Sequence, residues 1–261
     1  MSDFPVCAFD IGADGAAKAL TDPDMEASPA AGFAWRWLHA DAASPACREW
    51  AARRLPDIAV STLFQSETRP RCDSFSEGVS INMRGVNLNP EDRVEDMVSL
   101  RIWVGPNLIV SARHRRIMTM DDIRRDCEEG RAPASPGICL GRIANGLTDR
   151  AEKVALDFED RTDDLEVQSI SGEESDVAAI VALRRAVIMI RRFAAPQKDA
   201  LQKLAALEGD ILSKKDRQNL REAANRATRL AETMDALRDR LAILQEHVDA
   251  RVAEQLGRNG Y

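Results

Sequence analysis

Ser213–Leu256 reads SKKDRQNLREAANRATRLAETMDALRDRLAILQEHVDARVAEQL, with no Gly and no Pro. At ~1.5 Å per residue, Lys214–Leu256 would run on the order of 65 Å, more than a globular domain needs. A helix of that length is a coiled coil, a stalk or a piece of an array. Its start is signalled by Ser213-Lys214-Lys215-Asp216, which has capping-box form. Apolar or small residues then recur at Leu220, Ala223, Ala227, Leu230, Met234, Leu237, Leu241, Leu244 and Val248. The steps alternate three and four, the left-handed heptad signature. Val252 and Leu256 follow at steps of four, a stutter that straightens the helix near its end. With Ala at several seam positions, the seam is too weak for an isolated dimeric zipper. It suits packing against the chain's own helices or within a larger ring; the plainer alternative is an intramolecular helical hairpin.

Upstream, residues to about 135 mix strands and helices. Phe33–His39 alternates, which puts Phe33, Trp35 and Trp37 on one strand face. Ser44-Pro45 opens a helix, and Pro56 restarts one over Pro56–Gln65. Strands are predicted at Arg71–Phe75, Val79–Val86, Val98–Val104 and Leu108–Ala112, the last two joined by a turn at Gly105-Pro106-Asn107. Thr119-Met120-Asp121-Asp122 has capping-box form and opens a helix ending near Gly130. Beyond Pro133–Gly137 the pattern is helical throughout: one helix from Ile138 to Val167, a second from Ser175 to Leu207 with a break or kink at Pro196, then the long one. The expected fold class is α/β, a mixed sheet flanked by helices and followed by long helices forming a stalk. The expected division is 1–135 (α/β), 136–212 (helical, packed on it) and 213–261 (stalk).

The 261 residues carry a net charge of −7. An acidic chain argues against nucleic acid as a partner, because phosphate binding needs Lys/Arg clusters. No apolar run approaches the ~18–20 residues that span a bilayer, and the N-terminus lacks signal-peptide regions, so the chain taken alone reads as soluble. Five cysteines with no C-x-x-C pair read as reduced, buried thiols. His39, His114 and His247 are scattered and read as structural or surface residues. There is no phosphate loop, no G-x-S-x-G and no paired-carboxylate site; Gly141–Gly146 lies inside a helical run. Hence no enzyme and no cofactor is expected. The run Asp157, Glu159, Asp160, Asp163, Asp164 and Glu166 reads first as a solvated face, and second as a weak divalent-cation surface. Arg113, Arg115 and Arg116 read as a solvated edge or ion-pair partners.

Arg191-Arg192-Phe193-Ala194-Ala195-Pro196-Gln197, followed by Leu201 and Leu204, resembles the Arg-Arg-x-x-x-Pro-Gln segment of CorA-type metal-ion transporters. Leu220–Arg226 and Glu254–Tyr261 look closest to the zinc-transporting ZntB branch; Trp103–Arg113 resembles the family's sheet hairpin and Phe33–Asp41 its early Trp-Leu-His strand. The resemblance implies a cytoplasmic funnel of five packed subunits, belonging to a transporter of the inner membrane. The long helix would be the stalk leading to membrane helices and a Gly-x-Asn motif beyond Tyr261. It also implies zinc or magnesium as transported ions. Where the family often has Asn and then Met facing the pore, this sequence has Gly257 and Gly260. Counting back along that face gives Ala253, Asp249 or Ala250, and Glu246. Glu246 and Asp249 are the candidate lumen carboxylates; Ala253, Gly257 and Gly260 are the candidate pore-lining positions. The alternative function is a structural or signalling protein that oligomerises through the long helix.

Overall fold

The computed structural model describes residues 4–22, 25–66, 69–171 and 176–259. The strand expected around Trp35 is the third in a seven-stranded mixed sheet. β1 (Cys7–Ile11) runs antiparallel to β2 (Ala17–Ala19) on one side and to β3 (Trp35–Asp41) on the other. Helices α1 (Pro45–Arg54) and α2 (Asp57–Leu63) follow. Then β4 (Arg71–Phe75), β5 (Gly78–Gly85), β6 (Val98–Gly105) and β7 (Leu108–Arg113) form an antiparallel run whose last strand pairs parallel with β3. The order is β2-β1-β3-β7-β6-β5-β4. β6 and β7 are joined by Pro106-Asn107 alone, with Asn107 at φ 53°, a left-handed conformation that Asn tolerates.

Both faces of the sheet are covered. On one, Trp50, Leu55 and Leu63 of the α1–α2 region pack on Leu38, Trp103 and Val110. On the other, α3 (Met118–Glu128), α4 (Pro136–Ser171) and the ends of α5 (Val177–Ala205) and α6 (Lys214–Asn259) pack on Phe9, Trp35, Trp37, Ile81, Leu100 and Ile109. A separate apolar core, away from the sheet, joins Phe158 of α4 to Leu183 and Val187 of α5 and to Met234, Leu237, Leu241, Leu244 and Val248 of α6. The expected fold class is therefore the one observed.

Three local expectations need correction, and one region carried none. Phe33 precedes β3 in a turn closed by its N–H to the Ala30 carbonyl; Trp35 and Trp37 do share the face turned to α4. The predicted Thr119 cap does not form. α3 begins at Met118, and Thr119 is buried in its first turn against Gly146 of α4, where an added Cβ would lie 2.6 Å from Thr119 Cγ2. Packing against the neighbouring helix turns Thr119 inward, and its hydroxyl has no hydrogen-bond partner among the described residues instead of capping the backbone. Of the break or kink expected at Pro196, the break is absent: α5 continues through that residue. The predicted start of that helix at Ser175 lies outside the described residues. β1 and β2 went unpredicted because β1 is buried along its whole length and shows no alternation.

Other signals hold as read. Ser44 caps α1 by accepting from Cys47 N–H. Ser213 and Asp216 form the reciprocal capping box: Ser213 N–H donates to Asp216 Oδ2 at 2.9 Å, and Asp216 N–H to Ser213 Oγ at 3.1 Å.

Gln197 ties the helices to the sheet. Its Oε1 accepts from the Arg84 N–H, and its Nε2 donates to the Arg84 carbonyl, both at 2.7 Å. A helix side chain thus pairs with a strand backbone as a neighbouring strand would. Arg84 places its guanidinium over the Phe193 ring at 4.2 Å. Gln197→Leu strands both Arg84 groups and is expected to lower stability by about 2 kcal/mol in urea unfolding, with Gln197→Glu in between.

His39 is buried in β3. Its Nδ1–H donates to Ser111 Oγ at 2.8 Å, Nε2 accepts from Arg113 Nε at 3.2 Å, and Ser111 Oγ also accepts from Trp37 Nε1. Burial, then the Arg113 charge, push the imidazole pKa down to about 3. The folded value lies below the unfolded one, so stability is whole above pH ~6.5 and falls as pH drops toward 3. At pH 5 the contribution lost is about 2 kcal/mol, and His39→Gln should flatten the fall in stability between pH 7 and pH 5 accordingly.

Candidate functional site

The long helix packs on its seam and exposes the rest. α5 and α6 are antiparallel neighbours, tied by Arg184 to Gln245 at 2.8 Å and by Arg191 to Asp235. α4 runs parallel to α6, tied by Arg226 to Asp149 and Glu152, and by Arg240 to Asp163 and Glu166. The last of these ties is Arg251 Nη1 to the Ser169 carbonyl at 2.7 Å. From Val252 to Gly257 every residue is exposed, and the helix runs on to Asn259. Apart from half-buried Leu230, the heptad seam is buried through Val248, whereas Val252 is 43% and Leu256 68% exposed. The stutter therefore coincides with the point where α6 leaves its partners.

Glu246, Asp249, Ala253 and Gly257 are all exposed. At ~100° per residue they form one stripe, about 180° around the helix from Leu237, Leu241, Leu244 and Val248. Gly260 lies outside the described residues. The same stripe continues upward through Asp239 and Asp235, positions not singled out in the sequence; Arg238 pairs with both, and Arg191 pairs with Asp235. Helical periodicity alone would have found them. Glu246 and Asp249, by contrast, make no ion pair or hydrogen bond within the described residues.

The acidic run of α4 is divided. Asp163 and Glu166 are held by Arg240, whose pKa these two carboxylates raise through hydrogen bonds, Glu166 most. Asp157 faces Arg161 at 3.5 Å. Glu159, Asp160 and Asp164 remain without a partner among the described residues. Part of what reads as a solvated face is thus the joint between two helices. Among the described residues, no group of three or more His, Cys, Asp or Glu could hold a metal ion. The cysteines are free and buried, and burial pushes Cys7, Cys47, Cys72 and Cys127 up to about 12, far from reactive thiolates. Arg115 and Arg116 pair with Asp92 and Asp121. Also among the described residues, no helix is long and apolar enough to cross a membrane.

Arg240→Gln releases both α4 carboxylates. Because the pair is partly exposed, the expected loss is about 1 kcal/mol at low ionic strength, shrinking in 1 M salt; urea unfolding at the two salt concentrations checks it.

Comparison with known proteins agrees with this architecture. The profile of the CorA-like Mg2+ transporter protein family matches residues 33–261. The zinc transport protein ZntB of Yersinia pseudotuberculosis is 30% identical over 227 residues, which are 86% of this chain and 69% of that protein. The structure of the full-length CmaX protein superposes with a TM-score of 0.90 at 28% identity, over 98% of this chain and 80% of that one. The ZntB cytoplasmic domain from Vibrio parahaemolyticus has the same fold, with a TM-score of 0.82 over 96% of this chain and 99% of that domain, at 23% identity. The resemblance read from Arg191–Gln197, Trp103–Arg113 and the stalk sequence is thereby borne out. With the profile covering the sheet from β3 onward, the Pro-Gln clamp and the long helix together, the chain belongs to the CorA-like Mg2+ transporter protein family.

Proposed function

We propose that this chain is the cytoplasmic part of a divalent-cation transporter, with zinc as the favoured ion and magnesium the other. Five copies assemble around an axis lined by α6, and the helix leads from the sheet toward the membrane. The chain binds and conducts; no covalent chemistry is assigned to it. The observation that carries this reading is the end of α6. Just before the helix departs from its partners, two carboxylates that are unpaired among the described residues, Glu246 and Asp249, stand on the face opposite its packed seam. Repeated around a ring, such carboxylates attract divalent cations and repel anions. Ala253 and Gly257 continue the stripe with small residues, which leaves room at the neck.

Self-association has support of its own. Ile243 (55%) and Leu256 (68%) are exposed on the stalk, outside the chain's own core. Apolar side chains in that position suit burial against another copy. The ion assignment follows the zinc transport relative at 30% identity and the magnesium family profile.

Light scattering with and without zinc or magnesium, followed by zinc titration of the Glu246→Gln/Asp249→Asn double variant, tests the reading. A pentamer whose zinc affinity falls at least several-fold in the double variant is expected. An unchanged titration removes the lumen assignment. Assembly indifferent to metal and to both carboxylates would favour the alternative of a helix-mediated structural protein.

A further inference from the structure

A cavity of about 540 Å³ lies where β5 and β6 end beneath α5. Five arginines contribute to its wall: Arg69, Arg84, Arg101, Arg115 and Arg192. They come from five separate places in the chain, and His114 joins them. Asp96 is the single carboxylate among the described lining residues. Arg115 shares its charge with Asp92, outside the cavity. Arg69, Arg101 and Arg192 form no ion pair with described residues.

Arg101 is the telling residue. It is 2% exposed, in the middle of the sheet, and a cation in that setting is expected to be paired. Its Nη2 donates to the Gln65 carbonyl at 2.8 Å, but Nε and Nη1 have no hydrogen-bond partner among the described residues. Burial and the neighbouring Arg84 charge lower its pKa, and Arg101 in turn helps lower that of His114. A buried guanidinium with two idle donors, beside a second arginine and in the wall of a polar cavity, lacks one component: negative charge with several acceptor oxygens.

We propose that this cavity binds a multiply charged oxyanion of the phosphate or diphosphate class, free or carried on a small molecule, with Arg101 and Arg84 as its inner ligands and Arg69 and Arg192 at its mouth. The site is separate from the α6 stripe and does not rest on the transport reading. The planar fork of arginine suits paired phosphate oxygens, and a cavity of this size admits a small phosphorylated molecule. An anion there would also draw α5 to the sheet close to the Gln197 clamp, since Arg192 and Phe193 belong to α5 while Arg84 and Arg101 belong to β5 and β6.

The test is calorimetric titration of the full chain with sodium pyrophosphate, inorganic phosphate and ADP, free of divalent metal, with sodium chloride matched for ionic strength. Thermal unfolding is measured in parallel. Saturable binding of at least one phosphate compound, with a thermal shift that chloride does not reproduce, is expected. Whether ADP or free pyrophosphate binds more tightly identifies the source of the phosphate. Arg101→Met should weaken binding at least tenfold while leaving the melting temperature of the ligand-free protein unchanged or raised, because it removes an unpaired buried charge. A purely structural Arg101 would instead lower that melting temperature. Arg192→Ala, at an exposed position, should weaken binding several-fold with the fold intact. No saturable heat with any of the three compounds, a shift that chloride reproduces, or binding retained in both variants overturns the proposal.

Discussion

One helix belongs to two cores, and the rest of the molecule is arranged around that fact. Leu220, Ala223, Ala224 and Ala227 of α6 close the core beneath the sheet. Met234, Leu237, Leu241, Leu244 and Val248 of the same helix close the core of the stalk. Each large apolar side chain buried this way contributes about 1.5–3 kcal/mol, so the seam is a dominant stabilising element of both halves. The small residues come first for a steric reason. Near the sheet α6 approaches α4 so closely that a Cβ on Gly137 would fall 2.4 Å from the Asp216 carboxylate. Farther out, Leu and Met fill the wider space between three helices. The Ala-rich start of the heptad pattern is thus a close-approach surface, and the Leu-rich part is the filler.

Polar contacts fix register where apolar packing would allow sliding. The Asp10–Arg36 pair is buried, two-pronged at 2.6 and 2.8 Å, and sits on directly opposed residues of β1 and β3. It also anchors the segment before β3, because Asp10 Oδ2 accepts from the Ala30 N–H. Such a pair contributes little net stability against an apolar substitute, but removing one partner is costly, so it specifies one alignment of the strands. Arg226 and Arg240 do the same for α4 against α6, almost four helical turns apart. Gln197 does it for α5 against β5. These ties explain why the Pro-Gln segment reads so clearly: Pro196 sits one residue before the side chain that grips the sheet, inside a helix that stays continuous.

What the sequence made legible followed from period and spacing. The seam, its capping box, the β6–β7 turn and the Ser44 cap depend on residues close together in the chain, and local rules reach them. β1 escaped because a strand buried on both faces has no alternation to read. Thr119 was misread because the contact that redirects it comes from Gly146, distant in sequence. The arginine cavity is the extreme case. Its members are spread from Arg69 to Arg192, and the net charge of −7, which argues against nucleic acid as a partner, gives no sign of a local basic cluster. Net charge is a sum over the whole surface, whereas the local field depends on which residues folding brings together, and here it gathers five arginines. The carboxylate stripe shows the converse. Its direction was legible from helical period, but the loss of Asp235 and Asp239 to arginines was not, since that depends on which helix lies alongside.

The exposed end of α6 follows from the same physics. An isolated helix of eight residues would not hold in water, because nucleation is unfavourable and too few hydrogen bonds repay it. The last turns of α6 escape that cost by propagating from a helix already nucleated and packed below Val248. They inherit its direction, with a rise of ~1.5 Å per residue and no intervening hinge residue before Gly257. Glu246 and Asp249 are therefore held at a fixed angle from the seam. Any shift of α6 against α4 and α5 must move them with it. The seam fixes the helix against its partners and the opposite face carries the charge, and one continuous helix holds the two in a constant relation.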